Sequence, residues 1–95
     1  MHIILDIMYS FLYYRTIAKE HYMKLGNHIR KLRFENNEMS QQSLADAAGV
    51  TRMTIYSIEK GKFVPSTLLA FKISKALGED INTVFFVVEE SQGGK

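Results

Sequence analysis

Between Arg52 and Lys62 the chain carries a guanidinium, a thioether, a phenol, a hydroxyl and two ammonium groups, on Arg52, Met53, Tyr56, Ser57, Lys60 and Lys62. At roughly 100° per residue on a helix, Met53 and Lys60 point away from Ile55 and Ile58, Tyr56 and Ser57 flank them, and Arg52 stands at the N-terminal edge. Such a face suits base edges and phosphates: arginine can bond guanine bidentately, methionine can pack on a thymine methyl, and lysine can hold a phosphate. It does not suit bond-making chemistry. Glu59 has no second carboxylate, histidine or nucleophile placed near it by sequence, and His2, His21 and His28 lack the spacing of a metal site. A merely solvated helix face would account for the polarity of these residues but not for the frame around them.

That frame is the stretch Ser40 to Lys62, SQQSLADAAGVTRMTIYSIEKGK, which reads as two short helices joined by one tight turn. The Ser40 hydroxyl can accept from a free amide of the first turn, and the helix runs through Leu44, Ala45 and Ala48 to Gly49. A glycine there takes positive φ without steric cost, so the chain reverses and Val50 points back into the crease between the helices. Thr51 caps the second helix. Glu59 lies only about 70° from that helix's buried stripe, so its carboxylate needs a positive partner, for which Arg33 is the candidate.

The segment resembles the helix-turn-helix of the Cro/C1-type (XRE-like) DNA-binding family, through Gln41, Leu44-Ala45, Gly49-Val50, Ile55, Ile58-Glu59-Lys60-Gly61 and the later Pro65-Ser66. The resemblance runs from about Met23 to about Phe85 and implies an all-α, five-helix, lambda-repressor-like domain. It implies base reading by Arg52, Met53, Tyr56 and Ser57 from a helix in the major groove of double-stranded DNA. Gln41, Thr51, Lys60 and Lys62 would touch phosphates or buttress the base-reading side chains, and Arg33 and Glu59 would form a structural ion pair. One departure is the connection from Asn36 to Met39, about one residue longer than the commonest family pattern, which bears on the register of Arg33 and Phe34.

The remaining elements follow in order. A first helix is expected from about Leu25 to Asn36, with Leu25, Ile29 and Leu32 inward. After the central pair comes a loop from Gly61 to Pro65, in which Phe63 or Val64 would pin the chain to the core. Ser66 or Thr67 caps a fourth helix from Leu68 to Leu77, with Leu69, Ile73, Ala76 and Leu77 inward, and Gly78 closes it. Asp80 caps a short fifth helix through Val84 or Phe85. Phe86-Val87-Val88 is an apolar tripeptide that wants a partner, and residues 89–95 form a polar tail.

Ninety-five residues at 46% hydrophobic content make one small domain, read as residues 23–88. The absence of cysteine rules out disulfides and thiolate metal sites and fits the cytoplasm. A net charge of +2 would not by itself imply nucleic acid, so the positions of the cations carry that inference.

Residues 1–22 hold five of the eleven aromatics and stand outside the resemblance. Their apolar run is broken by Asp6 and is too short for a membrane span, and no Lys or Arg precedes it as in a signal peptide. Ile4, Ile7, Phe11, Tyr14 and Ala18 follow helical spacing, which favours an amphipathic helix, although alternation from Ile7 to Tyr13 also permits a strand. The segment either packs on the domain or on a second copy of the chain, or precedes a native start at Met23. The codons of Lys19-Glu20 can spell AAGGAG, and two codons then separate that ribosome-binding sequence from the ATG of Met23.

The function expected is that of a sequence-specific transcriptional regulator, such as a repressor, binding a palindromic operator as a homodimer with neither cofactor nor small-molecule effector. The alternative is a protein-interaction module, such as the antitoxin of a toxin pair, using the apolar chain ends. An enzyme is not expected.

Overall fold

The computed structural model describes residues 5–10, 12 and 21–91. Its main unit, Leu25–Val87, holds five helices: α1 (Ile29–Glu35), α2 (Gln41–Ala48), α3 (Arg52–Glu59), α4 (Thr67–Leu77) and α5 (Ile81–Val84). Two strands, β1 (His21–Asn27) and β2 (Phe85–Ser91), pair as a two-stranded ribbon. The fold is therefore mostly helical but not all-α. Among the described residues, no helix is long and apolar enough to cross a membrane.

Three helices start on the same device. Ser40, Thr51 and Ser66 each sit in extended geometry, and each side-chain oxygen accepts from the amide three residues on. Capping fixes where α2, α3 and α4 begin, and burial fixes how they pack. Ile29, Leu44, Ile55, Ile58, Ile73 and Val84 are fully buried and form the centre of one core with Leu32, Ala45, Ala48, Ala70, Leu77 and Phe85. Burying each large aliphatic side chain contributes about 1.5–3 kcal/mol. Helix α2 packs against both α3 and α4, which sets the angle at which α3 is presented.

The first helix begins later than its spacing predicts, because Leu25, Gly26 and Asn27 belong to β1. The His28 amide donates to the Val84 carbonyl at 2.8 Å and Gly26 lies opposite Phe86, so the strands run antiparallel. The Phe86 ring covers the Gly26 backbone so closely that a Cβ on Gly26 would stand 2.4 Å from it. The ring also stacks on His28, with centroids 4.7 Å apart. Asn27 joins the ribbon to the helices: its amide donates to the Ile58 carbonyl at 3.0 Å, and its side-chain oxygen accepts from the Ile29 amide at 3.1 Å.

The long connection between α1 and α2 takes up its extra residue with Asn37 and Glu38 both left-handed, at φ 56° and 55°. It closes by the Met39 amide donating to the Arg33 carbonyl at 2.8 Å. After α3, Phe63 and Val64 are both exposed and do not pin the loop; Pro65 is buried instead. On α4, Ile73 and Leu77 face inward as their spacing predicts, but Ala70 and Ser74 are buried where Leu69 and Ala76 are only half-buried. In the N-terminal extension, residues 5–10 and 12 are helical rather than extended, while β1 starts at His21. Ile4, Phe11, Tyr14 and Ala18, the rest of the expected helical face, lie outside the described residues, as do residues 92–95.

Candidate nucleic-acid interface

The turn between α2 and α3 is short because Gly49 adopts φ 74° and the Val50 amide returns to the Ala45 carbonyl at 3.0 Å. Gly61, at φ 76°, closes α3 in the same way, with the Lys62 amide donating to Ser57 at 2.9 Å. With Ile55 and Ile58 buried, the opposite face of α3 is turned to solvent. Arg52, Met53 and Lys60 are exposed on it, Tyr56 and Ser57 are half-buried at its flanks, and Lys62 is exposed just beyond it. The Thr51 hydroxyl accepts from the Thr54 amide at 3.2 Å and lies 3.0 Å from the Thr54 hydroxyl, so it is committed to the cap.

A continuous set of hydrogen bonds runs from beneath α3 to its exposed N-terminal edge. Arg33 donates through Nε and Nη2 to the two carboxylate oxygens of Glu59, at 2.7 and 3.2 Å, and through Nη1 to the Met39 carbonyl at 2.8 Å. The two side chains are 9% and 7% exposed, so this is a buried, bidentate pair. The longer connection before α2 does not displace it, since Arg33 holds Met39 with both backbone and side chain. Gln41 then donates to Glu59 Oε1 at 3.2 Å, and its own Oε1 accepts from Arg52 Nη1 at 3.2 Å. Only one amide orientation serves both neighbours, because a carboxylate can only accept and a guanidinium can only donate. Arg52 is thereby tied through Gln41 to the buried ion pair.

Helix α3 forms a ridge between two shallow concavities. On the α1 side, Arg30, Phe34, Arg52, Tyr56 and Lys60 line one of them above the Arg33, Gln41 and Glu59 network. Lys60 lies over the Tyr56 ring, 5.7 Å from its centroid. On the other side, Met53, Ser57, Lys62 and Phe63 line the second, with Thr51 and Thr54 at its end. The two share no residue, and base-reading candidates open onto both. Among the described residues there is no group of three or more His, Cys, Asp or Glu side chains placed to hold a metal ion.

A family model described as helix-turn-helix matches residues 29–84, from the first residue of α1 to the last of α5. An HTH-type transcriptional regulator of Methanothermobacter thermautotrophicus is 37% identical over 76 residues, covering 80% of this chain and 93% of that one. The chain belongs to the Cro/C1-type helix-turn-helix family. Further relatives are the HTH-type transcriptional regulator YgzD of Bacillus subtilis, 45% identical over 70% of this chain and all of its own length, and the control protein C.MunI of a Mycoplasma species, 35% identical over 72% of this chain and 92% of its own. As a helix-turn-helix regulator the protein is a DNA-binding protein and not an enzyme.

Within the helix-turn-helix pair, α2 supplies Gln41 and α3 supplies Arg52, Met53, Tyr56, Ser57 and, at its C-terminal end, Lys60. The structure brings Gln41, Arg52, Arg33 and Glu59 into one bonded set and leaves Met53 and Lys62 apart from it, facing the second concavity. Two residues beside this surface escaped the sequence reading as interface members: Arg30 and Phe34 of α1. Their i, i+4 spacing was visible as a helical pair, but nothing local says which side of α1 faces α3.

Proposed function

We propose that this protein is a sequence-specific transcriptional regulator that binds a palindromic operator on double-stranded DNA as a homodimer, with α3 reading bases in one major groove per subunit. The observation that carries this reading is the bonded set from Glu59 through Gln41 to Arg52. It holds a guanidinium in place at the N-terminal end of an exposed helix, the end that meets base edges in helix-turn-helix complexes. Arg52, Met53, Tyr56 and Ser57 read bases; Lys60 and Lys62 bind phosphates, and Gln41 and Thr51 hold the reading helix in position. A single α3 reads few base pairs, so half-sites about one helical turn apart require two linked copies. Regulation is by occupancy in the cytoplasm: bound protein blocks or recruits polymerase, with no cofactor or effector in the cycle. The name of the control protein C.MunI fits such a role.

Selection of bound sequences from random duplexes tests the reading, and sedimentation of the full chain tests the dimer. A concentration-independent monomer on sedimentation would remove the homodimer. One observation favours a second reading: Leu5, Ile7, Met8, Tyr9 and Leu12 in the helical part of the extension are all more than half exposed, as befits a segment that covers another protein. An antitoxin-like module would co-purify with the product of an adjacent gene, with DNA binding secondary or absent.

A further inference from the structure

We propose that Arg30, placed over the ring of Phe34, is a DNA backbone-phosphate contact, so that α1 holds one phosphate rim of the major groove while Lys62 meets the other. This rests on the DNA-reading role of α3 given above. The major groove is about 12 Å wide with a phosphate rim on each side, and a helix lying in it presents both flanks to those rims. The ridge of α3 has a concavity on each flank. On the second flank Lys62 is the cation. On the α1 flank, Arg30, Arg33, Arg52 and Lys60 stand against the single carboxylate of Glu59.

These four cations are not equivalent. Lys60 stands at the C-terminal end of α3, over the Tyr56 ring. Arg33 is neutralised by Glu59 and turned inward. Arg52 is held towards the N-terminal end of α3 by Gln41. Arg30 comes from outside the two-helix pair, is exposed, and among the described residues has no hydrogen-bond or ion-pair partner. Its guanidinium carbon lies 5.8 Å from the centroid of the Phe34 ring, and that of Arg33 lies 5.8 Å from the same ring. Because Arg33 is pinned by three hydrogen bonds, Phe34 has a fixed neighbour and Arg30 a shelf. A guanidinium held over a ring keeps N–H donors free for an anion and gives up less side-chain freedom on binding one. Phe34 is 54% exposed, which makes it a weak core residue and accounts for it better as a support. Lys31, the neighbouring cation on α1, is absent from this concavity and lies 4.0 Å from Glu35.

The test uses the full chain, a selected duplex and a random duplex of equal length, titrated over about 50–200 mM salt. Arg30→Ala is expected to reduce the slope of log affinity against log salt by about 0.9, the share of one phosphate. It should weaken both duplexes by the same factor and leave base preference unchanged. Phe34→Leu should produce part of that loss alone and none beyond it in the Arg30→Ala background, while Lys31→Ala leaves the slope as in wild type. An unchanged slope in Arg30→Ala overturns the proposal. A loss confined to the selected duplex, or an equal loss in Lys31→Ala, overturns it as well. If wild type selects no sequence yet Arg30→Ala still lowers the slope, the base-reading role of α3 fails and the phosphate contact stands.

Discussion

Replacing Glu59 by alanine should cost far more than removing an exposed ion pair. The carboxylate accepts two hydrogen bonds from Arg33 and one from Gln41, between 2.7 and 3.2 Å, and the paired side chains are 9% and 7% exposed. In the variant, the Arg33 guanidinium stays buried with the Met39 carbonyl as its remaining acceptor. Stranding one member of a buried pair costs about 3–5 kcal/mol, against about 0–1 kcal/mol for an exposed pair. For a domain of this size each kcal/mol moves the melting temperature by about 4–8 °C, so a fall of at least about 12 °C is expected. Against a total stability of about 5–15 kcal/mol, such a loss is a large share of what holds the domain folded.

The double substitution Arg33→Met with Glu59→Leu separates the cause. It buries no charge, so most of the stability should return. DNA discrimination should not return with it, because Gln41 has lost its anchor and Arg52 its fixed acceptor. Thermal and urea unfolding followed by circular dichroism, together with binding titrations, read both effects. A Glu59→Ala domain within 1 kcal/mol of wild type would refute the buried-charge reasoning, as would a double variant no more stable than the single one.

Arg52→Ala should lose about 1–3 kcal/mol on a preferred duplex and flatten the preference at one base pair, as titration of single-base variants would show. Lys62→Ala should weaken all duplexes alike and lower the salt slope by about 0.9. Gly26→Ala places a methyl against the Phe86 ring and should destabilise by about 1–3 kcal/mol; thermal melts should show less in a Phe86→Leu background. Gly49→Ala meets nothing within 4 Å, so its cost in the same melts should be the left-handed penalty alone, about 1–2 kcal/mol.

The helix-turn-helix pair was legible because its determinants are local: the Ser40 and Thr51 caps, the Gly49 turn, and the angular split of α3 each act within a few residues. That Glu59 needs a cation followed from the same angles, since a carboxylate so near the buried stripe requires one; that the cation is Arg33, the candidate, is set by how α1 packs. The ribbon was not legible. Leu25, Ile29 and Leu32 keep helical spacing, and what makes residues 21–27 a strand is pairing with residues 85–91 at the far end of the chain. Phe86 and Val87 signalled an unpaired apolar stretch without naming its partner. The choice of Pro65 over Phe63 or Val64 as the buried loop residue depends on the space the packed helices leave, which no periodicity reports.

Selection from random duplexes, run in parallel with wild type and Arg52→Ala, tests the proposal that α3 reads sequence through an arginine held by Gln41. Wild type should enrich one two-fold sequence with half-site centres about 10–10.5 base pairs, or a multiple of that, apart. Arg52→Ala should enrich the same sequence with one base pair per half-site relaxed. Recovered duplexes indistinguishable from the input pool, or an identical preference in the two proteins, would contradict it.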